Sequence, residues 1–379
     1  MTEEREKWAY RNPSNIHFGD DALDSISQLV NHVGSSAIVA VVTGRSGAKQ
    51  NGHTDSVIKR LSPTTPLQYS EVPPEPSQKD VLSLADYLRA NKVTTVLGLG
   101  GGSVLDTCKI ACALAPTQLN LADVMDRKTA LSQTKIPLIA LPTTAGSGSE
   151  VTPFAVLTNP RTGLKQSLPS VVLYPEAAVV APAFLTSVPR QVAGDTGMDA
   201  LAHAMEALWS TQSNPASDGL AYRAVTLIKE HFISYLHSPE DQASRIGMAT
   251  AATLAGMAFS NTFTAACHAL SYPIGAEFSL SHGASCAITL DAVAELNAPR
   301  VAEKFHDLHL QLQLPTEQTV PGFIRKMRLD VGTIPNLKAL VSSPDQLAKI
   351  AAGVFQPLMN NNPIVLGSDE LIRFLRTVD

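Results

Sequence analysis

Four side chains in the second half of the chain have the chemistry of metal ligands. Asp199 and His203 stand four residues apart in Gly197-Met-Asp-Ala-Leu-Ala-His-Ala204. In a helix, positions i and i+4 lie about 40° apart around the axis, so this carboxylate and imidazole project from one face. They form half of a four-donor site. The other half can come from His268, in an Ala-rich helical pattern, and His282, in Leu-Ser-His-Gly ahead of a further helical run. One carboxylate and three imidazoles suit Fe²⁺ or Zn²⁺, with a position left open for a substrate oxygen. Read singly, the same residues also suit an Asp–His hydrogen bond on a solvated face, or histidines satisfied in a core. Spacing alone does not decide whether the four converge. Cys108 and Cys112 lack the spacing of a zinc pair, and Cys267 is expected to face away from its neighbour His268.

Two loops have the composition of phosphate cradles. Gly98-Leu-Gly-Gly-Gly-Ser103 follows a strand-like run at 94–99 and opens a helix near Val104. Unpaired backbone N–H groups at a helix N-terminus attract anions, and glycine lets a phosphate approach them closely. A tight strand-to-helix turn would use the same glycines. The second loop, Pro142-Thr-Thr-Ala-Gly-Ser-Gly-Ser-Glu150, follows a run at 137–141. Its hydroxyls, Ser147 among them, can meet phosphate or ribose oxygens, or simply turn the chain. Two such loops after strands put donors at the C-terminal edge of a sheet, where open α/β sheets bind ligands. Together they point to a nucleotide.

The elements that must position these residues divide the chain in two. Its 379 residues, 44% apolar and 17% charged, are enough for two domains with substantial cores. Short β-branched runs at 37–43, 94–99, 137–141, 171–174 and 178–180 alternate with helical patterns such as 80–90 and 104–115. Beyond about residue 186 helical patterns take over, at 192–210, 215–237, 240–258, 261–271 and 284–296. The expectation is an α/β nucleotide-binding domain over 1–185 and an all-α metal-binding domain over 186–379, with the boundary near 182–189. A net charge of −5 without a basic stripe argues against a nucleic-acid partner. The charged N-terminus lacks the apolar stretch of a secretory signal, and no apolar run reaches membrane-spanning length. Four cysteines in this spacing do not form a disulfide framework, so a reducing cytoplasm is the expected compartment.

Five ordered motifs resemble the iron-containing (group III) alcohol dehydrogenase family, which is related to dehydroquinate synthase and glycerol dehydrogenase. Gly100-Gly-Gly-Ser-Val-Leu-Asp106-Thr-Cys-Lys109 resembles its GGGSxxDxxK, and Pro142–Glu150 its PTTxGTGSE. Gly197-Met-Asp-Ala-Leu-Ala-His203, completed by Glu206, resembles GMDALxHxxE; Asn214-Pro-Ala-Ser-Asp218 and Ser281-His-Gly283 also match. The resemblance runs from about residue 10 to the C-terminus. It implies a dehydroquinate-synthase-like fold with the active site between two domains. It implies Asp199, His203, His268 and His282 as ligands of one divalent metal, Fe²⁺ or Zn²⁺. It puts Gly100, Gly101, Gly102, Ser103, Asp106, Thr143 and Thr144 against an NAD(H) or NADP(H) cofactor, with Lys165 reaching the same cofactor. It implies a small-molecule alcohol or aldehyde as substrate and a homodimer or larger homo-oligomer. The expected activity is a metal-dependent, NAD(P)-linked alcohol dehydrogenase or aldehyde reductase.

The chain departs from the family pattern at two places. Many members carry a second histidine four residues after the third ligand, where it relays a proton; here Tyr272 stands there. A phenol titrating near pH 10 relays poorly at neutral pH, so the candidate catalytic Tyr272 is expected to shape the pocket more than to move protons. NAD-preferring members have an acidic residue after the first strand, where this chain has Gly44, followed by Arg45 and Ser46. With no carboxylate to repel a 2′-phosphate and two residues able to bind one, NADPH is expected over NADH.

For substrate, the resemblance implies a small aldehyde. The segment His268-Ala-Leu-Ser-Tyr-Pro is similar to that of branches handling anionic aldehydes, for which Lys165 and Arg161 are the candidate cations. Two rivals remain: an enzyme of the dehydroquinate synthase or glycerol dehydrogenase type, and a non-catalytic cofactor-binding homologue. Region 190–285 is poor in Lys and Arg, unlike the phosphate-substrate site of a dehydroquinate synthase, and a non-catalytic homologue would be expected to lose ligands.

Overall fold

In a computed structural model of the chain, residues 7–33, 38–45, 47–159 and 163–379 are described. Their contacts gather into two compact units. Pro13–Val188 form one, and Pro189–Asp379 with the described residues before Pro13 form the other.

The first unit holds the eight strands found among the described residues: β1 Asn15–Phe18, β2 Val39–Gly44, β3 Leu67–Val72, β4 Thr95–Gly100, β5 Leu138–Pro142, β6 Phe154–Thr158, β7 Lys165–Pro169 and β8 Ala177–Val180. Six make one sheet in the order β1-β8-β5-β4-β2-β3, with every neighbouring pair parallel. β6 and β7 pair antiparallel as a separate hairpin. The central strands read as unbroken apolar runs because both their faces are covered. Val39 and Val41 join one core with Leu97, Leu99, Ile139 and Leu141. Ala40 and Val42 join the other with Val96, Leu138, Leu84 and Leu88. In the β4–β5 ladder Gly98 stands opposite Ala140 and Gly100 opposite Pro142, so both glycine-containing loops leave neighbouring strands side by side.

Two sequence expectations give way here. The run 171–174 is not a strand; Val171–Leu173 form a 3-10 turn. Ser170 caps that turn by accepting a hydrogen bond from Val172 N, and Val171 is 49% exposed, so its β-branched residues serve a turn rather than a ladder. Conversely, β1 and β3 had no clear apolar run, with Asn-Ile-His-Phe and Leu-Gln-Tyr-Ser-Glu-Val as their sequences. Both are edge strands of the sheet. An edge strand need not be apolar on two faces, and polar residues there discourage pairing with other chains.

The second unit is helical, with no strand among its described residues. Its principal helices are Arg190–Trp209, Pro215–His237, Gln242–Thr262, Ala266–Phe278, His282–Ala287 and Leu290–Asn297. The expected helix at 261–271 starts later, because Phe263 takes a left-handed φ of 57° and ends the preceding helix. The expected helix at 284–296 is two helices. Glycines allow close crossings: a Cβ on Gly197 would meet the Phe232 ring at 2.2 Å. Residues before Pro13 dock on this unit through Asn261, whose side chain accepts from Arg11 N at 2.7 Å and donates to Arg11 O at 3.1 Å. No described helix is long and apolar enough to cross a membrane. The four cysteines are buried and unbridged.

Candidate functional site

Asp199, His203 and Glu206 follow one another at four- and three-residue steps along Arg190–Trp209 and share one face of it. They are 4%, 4% and 0% exposed. His268 comes from the first turn of Ala266–Phe278, and His282 is the first residue of His282–Ala287. The short His282 helix is clamped to the Asp199 helix. Ser281 Oγ caps it by accepting from Ala284 N at 3.3 Å, and donates its own proton to Asp195 Oδ2 at 2.6 Å. A Cβ on Gly283 would stand 2.1 Å from the Asp195 carbonyl oxygen, so only glycine lets the two helices meet this closely.

All four expected ligands come together. His268 Nε2 lies 3.0 Å from His203 Nε2 and 3.6 Å from Asp199 Oδ1, and His282 Nε2 lies 4.0 Å from that same oxygen. Two N or O donors sharing one cation at bond lengths of about 2.0–2.2 Å, near the tetrahedral angle, stand about 3.4 Å apart. The observed spacings bracket that value. Asp199 Oδ1 is buried with no hydrogen-bond partner among the described residues. A buried carboxylate oxygen left this way costs free energy that a cation would offset. Donor set, spacing and orphaned oxygen all fit one divalent cation. Stacking fixes the His203 ring, whose centroid lies 4.1 Å from that of Phe259 at an interplanar angle of 9°.

Behind His268 stands Glu206. Its Oε1 accepts from the backbone N–H groups of Cys267 at 2.6 Å and His268 at 3.3 Å, and its Oε2 is hydrogen-bonded to His268 Nδ1. With the ring proton held on Nδ1, the Nε2 lone pair is directed at the cluster, the usual carboxylate–histidine arrangement behind a metal ligand. Burial works against the charge on Glu206, but the His268 ring and the backbone hydrogen bonds at the start of its helix outweigh it and hold the carboxyl below its ordinary pKa. Burial opposes the charge on Asp199 as well, and the imidazoles of His203, His282 and His268 reverse that and hold it well below the carboxylate range.

The loops of the α/β unit meet as well. Thr143 N donates to Gly100 O at 3.0 Å. A Cβ on Gly101 would stand 3.2 Å from Thr144 Oγ1, and one on Gly102 3.0 Å from Ser147 Oγ, so the glycine loop packs against the hydroxyls of the second loop. At Gly100 a Cβ would come within 2.5 Å of Val104 Cγ2. Among the described residues no side chain caps Gly102–Leu114, whose first amides are therefore suited to an anion. Asp106 accepts from Ser149 Oγ at 2.6 Å and from Val156 N at 2.8 Å, tying that helix to the end of the second loop. Buried Lys109 donates to Thr152 O at 2.9 Å, Thr152 Oγ1 at 3.2 Å and Phe154 O at 2.8 Å. Burial lowers its pKa to about 8, against the pull of Asp106 and Glu150.

The remaining expected residues fall as follows. Ser103 gives its hydroxyl proton to Pro74 O, and Lys165 Nζ pairs with Glu75 Oε1 at 3.0 Å, so both have partners within the protein. Gly44 ends β2, and Arg45 is exposed with Nε donating to Glu71 O at 3.3 Å. Ser46 and Arg161 lie outside the described residues. Tyr272, one turn after His268, is 4% exposed, with ring centroids 6.1 Å from His282 and 6.0 Å from Phe355. The sequence reading gave no role to Glu206 beyond completing a motif, and none to Cys286. For Glu206 a signal existed: a carboxylate three residues after His203, on the same face of an otherwise apolar helix. Cys286 could have been noticed four residues after His282.

Comparison with known proteins agrees along nearly the whole chain. Residues 13–182 match the family model described as iron-containing alcohol dehydrogenase, and residues 193–378 match the C-terminal model of the Fe-containing alcohol dehydrogenase family. A long-chain-alcohol dehydrogenase of Geobacillus thermodenitrificans is 37% identical over 74% of this chain and 71% of its own length. An NADPH-dependent butanol dehydrogenase of Clostridium saccharobutylicum is 33% identical over 80% of this chain and 77% of its own. Among solved structures, the sulfoacetaldehyde reductase of Bifidobacterium kashiwanohense in complex with NAD⁺ superposes with a TM-score of 0.90 at 28% identity, covering 98% of both chains. With its α/β unit, its helical unit and its ordered motifs all accounted for, the chain belongs to the iron-containing alcohol dehydrogenase family.

Proposed function

We propose that this chain is a divalent-metal-dependent, NAD(P)-linked alcohol dehydrogenase working as a reductase of small aldehydes. The observation that carries the reading is the convergence of Asp199 Oδ1 with the Nε2 atoms of His203, His268 and His282 from three helices, backed by Glu206 on His268. A cation held there supplies a Lewis acid for the substrate oxygen, and a nicotinamide supplies or accepts the hydride.

The chain's own residues do the rest. Asp199, His203 and His268 are buried and His282 half-buried, and all four offer lone pairs from a preformed cluster, so little reorganisation is needed on binding. Glu206 keeps the His268 proton on the nitrogen away from the cluster. Tyr272 lines the cluster beside His282 and limits water there; it shapes the pocket rather than relaying protons. The interlocked loops around Gly100–Gly102 and Thr143–Ser147 bind the cofactor phosphates through backbone amides and hydroxyls. Gly44 and Arg45 favour NADPH, because no carboxylate at the end of β2 repels a 2′-phosphate.

The names of the relatives span long-chain alcohols, butanol and sulfoacetaldehyde, and Lys165, a candidate for holding an anionic tail, is paired with Glu75. The test therefore sets short neutral aldehydes beside anionic ones. Purified protein, freed of metal and then reloaded with Fe²⁺ or Zn²⁺, is given each aldehyde with NADPH or NADH, and loss of reduced-nicotinamide absorbance is followed. Metal-dependent consumption with at least one aldehyde is the expected result. None with any aldehyde, in either nicotinamide, refutes the reading and favours a lyase or a non-catalytic homologue.

A further inference from the structure

We infer that Cys286 is a fifth protein donor to the cation. The inference rests on the metal centre proposed above and adds a ligand of a different chemical class. Cys286 stands four residues after His282 in His282–Ala287, so the two side chains leave one face of that helix. Its Sγ lies 3.9 Å from His282 Nε2. The ligand atoms of Asp199, His268, His282 and Cys286 all fall within 4.8 Å of one another. A sulfur at about 2.3 Å and a nitrogen at about 2.0–2.1 Å from one cation, at the roughly 90–120° angles of a five-donor set, stand about 3.1–3.8 Å apart. The Cys286–His282 separation is within a few tenths of an ångström of that, a gap that a small side-chain rotation closes.

Charge and softness point the same way. Cys286 is fully buried. A divalent cation held by neutral imidazoles and one carboxylate keeps a net positive charge in a buried place, which is costly. A thiolate beside Asp199 brings the set to neutrality. As the sulfur–metal bond forms, the thiol proton leaves to solvent and no electron is transferred, so no oxidant is required. Sulfur is a soft ligand, and its presence biases the centre toward Zn²⁺ and away from hard cations such as Mg²⁺. The other cysteines have no such place: Cys108 and Cys112 pack in the core of the α/β unit, and Cys267 is absent from the cluster of ligand atoms.

The experiment loads metal-free wild type, Cys286→Ser and Cys286→Ala with Co²⁺ and records absorption spectra and Co²⁺ stoichiometry. The expected result is an intense sulfur-to-cobalt charge-transfer band in the near ultraviolet for wild type. Both variants lose it, while still taking up about one Co²⁺ per chain with ligand-field bands, held roughly tenfold more weakly. Wild type showing ligand-field bands without the charge-transfer band, or Cys286→Ala keeping that band, overturns the cysteine's role and leaves the metal centre standing. Wild type binding no more Co²⁺ than His268→Ala overturns the metal centre, and this inference with it.

Discussion

Replacing Glu206 by glutamine removes a charge behind His268 while keeping shape and most hydrogen bonds. The glutamine carbonyl can still accept from Cys267 N and His268 N, the two bonds that Glu206 Oε1 now accepts. Its amide nitrogen then faces His268 Nδ1, donor against donor. The conflict is relieved when the imidazole proton moves to Nε2. That atom stands 3.0 Å from His203 Nε2 and 3.6 Å from Asp199 Oδ1, where the cation would sit. A cation must then displace that proton or settle for a poorly aligned lone pair. Outer-shell changes of this kind cost about 10–100-fold in metal affinity, or roughly 1.4–2.7 kcal/mol. The pKa of Glu206 is depressed, so the stability its charge contributes is present above the unfolded carboxylate pKa and is lost as pH falls through the folded value. At neutral pH the comparison is therefore between a charged and a neutral group. The assay is Zn²⁺ competition against a chromophoric chelator at neutral pH, with thermal melts of the metal-free proteins alongside. Glu206→Gln should bind Zn²⁺ at least about tenfold more weakly with only a small change in apo Tm. Affinity within about twofold of wild type would refute the orienting role, since second-shell losses are expected to exceed that.

Three further outcomes follow from the same geometry. Gly283→Ala would place a Cβ 2.1 Å from Asp195 O, so the helix bearing His282 must move. Metal content should fall while fluorescence-detected NADPH binding stays near wild type; loss of both together would show a folding defect instead. Gly44→Asp adds a Cβ that meets only ordinary contacts, 3.6 Å to Val72 O and 3.7 Å to Val104 Cγ2, so the backbone there accepts a side chain. It should move the ratio of kcat/KM for NADPH over NADH toward NADH by about tenfold or more, as a charge facing a 2′-phosphate costs at least about 1.4 kcal/mol. An unchanged ratio would remove this position from cofactor selection. Tyr272→Phe keeps the ring beside His282 and Phe355 and should retain most of kcat. Loss of nearly all kcat with metal content unchanged would make the hydroxyl a proton relay after all.

Much of the site was legible before any coordinates. Asp199 and His203 declare themselves because a helix converts a spacing of four into a shared face, a purely local consequence of backbone geometry. The glycine loops were legible for a similar reason: strand, glycines and helix follow one another in sequence, so a strand end and a helix start must meet there. The central strands were visible as apolar runs, because a strand covered on both faces has no polar alternation to show. The edge strands β1 and β3 were not, since their polar residues suit a loop equally well. The turn at Val171–Leu173 imitated a strand because β-branching raises strand propensity without requiring a partner.

What sequence spacing could not supply was convergence across distance. His268 lies 65 residues after His203, and nothing local sets their Nε2 atoms 3.0 Å apart. Likewise His282 reaches Asp199 because Gly283 lets its helix press on the backbone of the Asp199 helix, and because Ser281 bonds to Asp195 across 86 residues. The family motifs named the four candidates; packing decides that they meet, that Glu206 stands behind one of them, and that the sulfur of Cys286 falls among them. Helical periodicity fixes which residues share a face, because that is a property of a few consecutive bonds. Which faces then confront one another is set by the volume and shape of every side chain between them, and only the folded chain resolves it.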